Sequence, residues 1–182
     1  MQLPRATHLL ALFERQDDAD RFFRALPQRL AKFGLTLADD KTRVVPFGRQ
    51  HWRPHQPRPE HFDFLGFRHH LSQDRQGRMT LVRLPSPKSQ RKFLQGVKQW
   101  LKRYRHAPPR WQQQQLTQKL RGFYQYFAVS HTTASLDGVR YGVQWYWYRA
   151  LARRSQRGVR WDALNRRPWF RLPRPRVLHL TV

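Results

Sequence analysis

The distribution of charge along this chain, more than its amount, restricts what it can fold into. Residues 75–182 hold 24 Lys and Arg against two acids, Asp137 and Asp162, a net of +22. Residues 1–74 hold 12 Lys and Arg against nine acids, a net of only +3. A solvated helix surface normally interleaves Glu and Asp with Lys and Arg at i,i+4 spacing, and the C-terminal part has almost no acid for that purpose. Self-repulsion on this scale opposes compaction unless a polyanion offsets it, and nucleic acid is the polyanion that fits. The chain is not a disordered tail, because its seven Trp, six Tyr and twelve Phe supply enough apolar surface to offset chain entropy. Cysteine is absent, which excludes disulfides, Cys-ligated zinc and a thiol nucleophile. No run approaches ~18 consecutive apolar residues, so no membrane partner is expected. The start Met1-Gln2-Leu3-Pro4-Arg5 lacks the charged-then-apolar pattern of a signal peptide.

The charge step predicts two units, 1–84 and 85–182, with a linker near Pro85-Ser86-Pro87. In the first, Leu9-Leu10-Ala11-Leu12-Phe13 reads as a buried strand. Asp17 or Asp18 can cap a helix carrying Ala19, Phe22, Phe23, Leu26, Leu30 and Phe33, kinked at Pro27 and stopped by Gly34. Segments 35–37 and 42–47 read as a hairpin about Ala38-Asp39-Asp40. Segment 53–59 is Pro-rich and reads as an extended loop. Phe62-Asp63-Phe64-Leu65-Gly66-Phe67 alternates as one strand, and 79–84 as another, paired across a turn at 74–77.

In the second unit Ser86 can cap a helix with Pro87 at its first position. That helix carries the stripe Phe93, Val97, Trp100, Leu101 and Tyr104; Leu116, Leu120, Phe123 and Phe127 mark a second after a break at 106–109. Thr133 or Ser135 caps a third, with Leu136, Val139, Val143, Tyr146, Trp147 and Ala150 on one side. A short helix at 161–166 and a Pro-punctuated tail follow. The fold class expected is α+β: a small sheet with one helix, then an all-α bundle.

Asp39 and Asp40 invite a Mg²⁺ reading, but Asp also favours turns through side-chain-to-backbone bonds, and no third carboxylate joins them. His51, His55, His61, His69 and His70 are scattered without zinc spacing, and solvated or phosphate-contacting roles fit them better. No metal site, no catalytic residue and no cofactor is assigned. The basic helices are the strongest feature. Phosphate contact is assigned to Lys88, Arg91, Lys92, Lys98, Lys102 and Arg103, to Arg121, to Arg140, Arg149, Arg153, Arg154 and Arg160, and to Arg174 and Arg176 of the tail, with Arg105 and Arg157 adjoining. Trp100, Phe123, Tyr124, Trp145 and Trp147 read as core; Tyr104 or Trp111 is left for base stacking.

The ordered blocks Arg21-Phe22-Phe23-Arg24-Ala25-Leu26-Pro27-Gln28-Arg29-Leu30-Ala31-Lys32-Phe33-Gly34-Leu35, Asp40-Lys41-Thr42-Arg43, Phe47-Gly48-Arg49 and Phe62-Asp63-Phe64-Leu65-Gly66-Phe67 resemble the end of the palm of bacterial group II intron reverse transcriptase/maturases. Leu120-Arg121-Gly122-Phe123-Tyr124-Gln125-Tyr126-Phe127 is similar to the signature of their maturase-specific domain, and Leu172-Pro173-Arg174-Pro175-Arg176-Val177 to its ending. The resemblance covers nearly the whole chain from about Ala6. It implies that 1–84 is a truncated palm-like sheet and 85–182 a thumb and maturase-specific helical domain. It also implies a bacterial, cytoplasmic, RNA-associated protein that grips intron RNA while the RNA supplies the splicing chemistry.

Where the family carries a catalytic Tyr-Ala-Asp-Asp turn, this chain reads Arg5-Ala6-Thr7-His8, so both metal-binding carboxylates are replaced. Asp39-Asp40 falls after the helix and does not inherit that role. With the fingers absent as well, no stand-alone polymerase is expected, and Mg²⁺ enters only with a complementing half. The expected partner is group II intron RNA, with target DNA and a separate N-terminal reverse-transcriptase half as further candidates. Three rivals stand beside this: a generic ribosome- or nucleoid-associated binder, a Mg²⁺-dependent polymerase or nuclease using Asp39 and Asp40, and a non-functional fragment.

Overall fold

The core gathers in the C-terminal half: among the described residues, none before Pro85 is buried. The computed structural model describes residues 8–38, 40–48, 60–74, 76–154 and 158–179. They form five helices and a three-stranded antiparallel sheet, an α+β arrangement. In chain order these are α1 Gln16–Ala31, β1 His61–Phe64, β2 Phe67–Gln73, β3 Met79–Pro85, α2 Pro87–Arg103, α3 Pro109–Phe127, α4 Thr133–Ala152 and α5 Trp161–Asn165. A 3₁₀ turn, Pro168–Phe170, follows.

The bundle forms because its apolar stripes repeat at helical spacing and its ends are well defined. Ser86 Oγ accepts the Ser89 N–H at 3.2 Å and Pro87 occupies the first turn of α2, as expected. α2 and α4 run parallel: Gln90 bonds Ser135, Leu94 meets Gly142, and Lys98 lies over Tyr146, in ascending order on both helices. Gly142 sets their spacing, since a Cβ there would stand 3.1 Å from Leu94 Cδ2. α3 returns antiparallel to α2, with Phe93 stacked on Phe123 at 4.4 Å and Trp100 on Trp111 at 5.7 Å. Leu116, Leu120, Leu136, Val143 and Trp147 fill the interior, and Phe170 closes it against Trp147. Burying one such side chain stabilises by about 1.5–3 kcal/mol.

The sheet, in the order β1-β2-β3, docks on this bundle through its first turn. The Gly66 carbonyl accepts both the Ser86 N–H (2.8 Å) and Ser89 Oγ (3.0 Å). Tyr126 donates to the Leu65 carbonyl at 2.8 Å, and Phe67 packs on Phe127. Segment 85–87, where a linker was expected, is therefore a strand-to-helix junction in which Pro85 and Ser86 are buried.

Other expectations are also corrected. Residues 62–67 are not one strand: they fold back at Leu65-Gly66, with Phe64 opposite Phe67. Both turn residues have positive φ (47° and 80°), as a two-residue type I′ hairpin requires. β3 does pair with β2 across the 74–77 turn. Residues 9–13 form no buried strand and are exposed. Segments 35–38 and 40–47 keep the turn, with Lys41 and Thr42 N–H both donating to the Ala38 carbonyl, but carry no strands. A strand needs a neighbour for its backbone groups and a layer over its apolar side; the described residues give these segments no pairing strand, and ring contacts such as Phe13 with Phe22 and Phe47 with Phe62 leave most of their apolar side open. α1 has its stripe but ends at Ala31 with Lys32 as its C-cap, two residues before Gly34 (φ 68°); no residue on it is buried, and Asp17 and Asp18 lie in its first turn after the cap position, Arg15. Thr133 lies inside α4, whose N-cap is Thr132. The expected loop 53–59, Arg5, Ala6, Thr7, Asp39, Arg49, His51, His55 and Arg157 lie outside the described residues.

Candidate nucleic-acid interface

Lys88, Arg91, Lys98 and Lys102 recur at spacings of three, seven and four along α2, which puts them on one side of the helix. Lys92 and Arg103 lie beside that stripe, and all six are exposed. The stripe borders a groove of about 490 Å³ between α2 and α4, lined by Arg91, Leu94, Lys98 and Tyr146. Lys98 Nζ stands 6.0 Å over the Tyr146 ring, a cation–π contact across the two helices.

Because α2 and α4 are parallel, their C-terminal ends fall together. Lys102, Arg103 and Arg105 thereby join Arg149, Arg153 and Arg154. Cations at a helix C-terminus face the negative end of the dipole, each favoured by about 0.3–1 kcal/mol, which helps the fold tolerate the crowding. Arg154 ties the two ends, donating to the Ala107 carbonyl at 2.8 Å; burial lowers its pKa. It is half-buried, whereas Arg149 and Arg153 are exposed.

The remaining assigned cations divide in the same way. Arg140 donates to Asp137 at 2.7 and 3.4 Å and to Gln144 at 3.2 Å, so its fork is already filled. The Arg140 hydrogen bond holds the Asp137 carboxyl below its usual pKa. Arg121 on α3, Arg160 before α5, and Arg174 and Arg176 on the tail are exposed. The tail lies along α3, where Tyr124 donates to the Pro173 carbonyl and the Leu178 and His179 N–H groups donate to the Ala128 carbonyl.

The aromatics sort less neatly. Phe123, Tyr124 and Trp147 are buried and Trp100 half-buried, but Trp145, expected in the core, is 39% exposed. It stands two residues from both Val143 and Trp147, which on a helix is the opposite side, so spacing carried the signal. At the α2–α3 tip, Trp100, Tyr104 and Trp111 form a mutual cluster with Lys119 Nζ 5.4 Å over Trp100 and Arg103 5.5 Å over Tyr104. Lys119, which with Arg110 lies near this tip, went unassigned in the sequence reading.

His69 and His70 lie within β2, on opposite faces, and burial lowers both pKa values. Asp63 is taken by a bidentate bond from Arg68 at 2.8 and 3.2 Å. Asp40 is exposed. Among the described residues no three metal-ligating side chains converge, and no helix is long and apolar enough to cross a membrane.

The class of protein this defines is a basic α+β chain that displays acid-poor cationic faces on a packed helical scaffold. Compared with known proteins, the chain matches no family model, no curated protein and no solved structure.

Proposed function

We propose that this chain is a maturase-like RNA-binding protein that holds a group II intron RNA in a splicing-competent fold and has no polymerase site of its own. The observation that carries the RNA-binding part is the acid-poor cationic surface of α2 and of the joined α2 and α4 ends. A rigid scaffold fixes the spacing of these cations, so phosphates are met without ordering the protein first. The ordered blocks that resemble the maturase family add the intron. In that reading the sheet corresponds to the last strands of a palm, and the bundle to thumb and maturase-specific helices.

The test is binding to structured group II intron RNA, unrelated structured RNA and duplex DNA across a salt series. The expected result is preference for intron RNA at ~150 mM salt, with log K falling by roughly 0.7–0.9 per phosphate neutralised. Arg91→Glu with Lys98→Glu should weaken binding and flatten the slope. Equal affinity for all three leaves a generic polyanion binder.

The exposed Leu9, Leu12, Phe13 and Phe33 favour a second reading for the N-terminal segment. Apolar side chains this exposed fit a surface covered by a complementary reverse-transcriptase half. Co-expression with such a half should give a stable complex; failure to associate leaves the maturase-like role alone.

A further inference from the structure

We infer that the α2–α3 tip is a stacking platform for unpaired nucleobases, so that this face takes single-stranded segments of the RNA and not its duplex arms. The inference rests on the RNA-binding reading above and assigns a ligand to one part of that surface. Three rings meet there: Trp100 and Trp111 are stacked at 25°, and Tyr104 lies 5.2 and 5.5 Å from them. Trp100 covers one side of Trp111, which nonetheless remains 37% exposed.

The surroundings match a nucleotide chain. Lys102, Arg103, Arg105 and Arg110 flank the rings in sequence, Lys119 stands over Trp100, and neither acid of the C-terminal unit lies on α2, α3 or the turn between them. An apolar protein partner would gain nothing from that collar, whereas a nucleic-acid strand presents flat π-faces on a charged backbone to meet both features. The duplex hides its base faces within the stack, so the rings can only engage unpaired bases.

The platform is also preformed. Tyr104 caps α2, its N–H bonded to the Trp100 carbonyl, and its own carbonyl accepts Gln112 Nε2 at 2.6 Å. Gln112 is fully buried and held in turn by Trp147. The rings thus sit on a fixed support, and little side-chain freedom is lost when a base arrives.

The test uses the full chain and three labelled probes: an unstructured RNA of about 12 nucleotides, the DNA strand of the same sequence, and the RNA duplex. Trp111→Ala and Trp111→Leu should weaken both single strands roughly 5- to 150-fold, the range for one stacked base, and change duplex affinity by less than about twofold. Trp111→Leu keeps apolar cover over Trp100 without a flat face, so it reports stacking even if the alanine variant melts early. Trp111→Phe should restore most of the affinity. The salt slope should not change, because no cation is removed. Trp145→Ala, an exposed indole elsewhere, should leave all three probes unaffected. Unchanged single-strand affinity in the leucine variant overturns the platform, as does equal loss on strand and duplex or a loss confined to RNA. If the unsubstituted protein binds none of the probes, the RNA-binding reading fails, and the platform with it.

Discussion

The indole N–H of Trp147 donates to Oε1 of Gln112 at 2.9 Å, and both side chains are fully buried. The other end of the Gln112 amide donates to the carbonyl of Tyr104 at 2.6 Å. One polar side chain in the first turn of α3 thus links the C-terminal third of α4 to the C-cap of α2. Replacing it strands the buried Trp147 N–H, an orphan that costs about 1–3 kcal/mol, and leaves the Tyr104 carbonyl with only its bond from the Ala107 N–H at 3.2 Å. Gln112→Leu, although close in volume, should lower the melting temperature by several degrees in calorimetry. A variant that melts like the parent would mean that the core relaxes around the loss.

The hairpin turn offers a stabilising change. Leu65 holds φ 47°, in the left-handed region that costs an ordinary side chain about 1–2 kcal/mol, and its side chain is 53% exposed. Asn tolerates that region and precedes Gly in the favoured type I′ pair. The Tyr126 bond uses only the Leu65 carbonyl, so Leu65→Asn keeps it. The substitution should raise stability by about 0.5–1 kcal/mol in denaturant melts. Gly66→Ala should do the reverse, since Gly66 has φ 80° and a Cβ there would stand 3.1 Å from Ser89 Oγ.

The same turn shows why parts of the fold are hidden in the sequence. Phe62, Phe64, Leu65 and Phe67 carry strand-like composition, and a leucine at positive φ gives no local warning of a reversal. α2 is legible because Ser86, Pro87 and the Phe93-to-Tyr104 stripe agree on its start and its buried side. Residues 42–47 are not, because Val44, Val45 and Phe47 have strand propensity while the partner that would make them a strand is not specified locally. At the interface, charge sign identifies the cationic face, yet it cannot separate Arg140 from Arg149. That distinction depends on Asp137 lying three residues before Arg140, one helical turn away, where it captures the guanidinium.

Acid should loosen the sheet before it loosens the bundle. Burial holds His69 and His70 below the ordinary histidine pKa of 6.5, with Arg83 adding repulsion at His69 and His61 at His70. The unfolded chain then takes up protons first, so stability rises with pH. That contribution is complete above 6.5 and is lost as the pH falls from there toward the folded values. The Arg68 hydrogen bond holds Asp63 below its usual 3.8, so its contribution persists further and goes only as the pH drops through the depressed value. The protection of β2 amides, taken relative to the exchange of an unfolded amide at each pH, should therefore fall as the pH drops below 6.5. His69→Phe, which keeps the flat stack on Phe62 at 4.8 Å, should blunt that fall. An unaltered pH dependence would assign the effect to other groups.

Arg140 and Arg149 lie on the same helix and differ in what holds them. Arg140 spends its fork on Asp137 and Gln144, whereas Arg149 is exposed in the last turn of α4. Alanine at 140 should cost about 1 kcal/mol or less of stability, the scale of a partly exposed pair. It should leave the salt dependence of RNA binding nearly intact, because Asp137 already neutralises that cation. Alanine at 149 should leave the melt unchanged and reduce the slope of log K against log salt by roughly 0.7–0.9, one phosphate contact. Measuring melting and binding on both variants separates the roles. If Arg140→Ala flattens the slope as much as Arg149→Ala, the Asp137 pair opens when RNA binds and Arg140 turns outward to the phosphate.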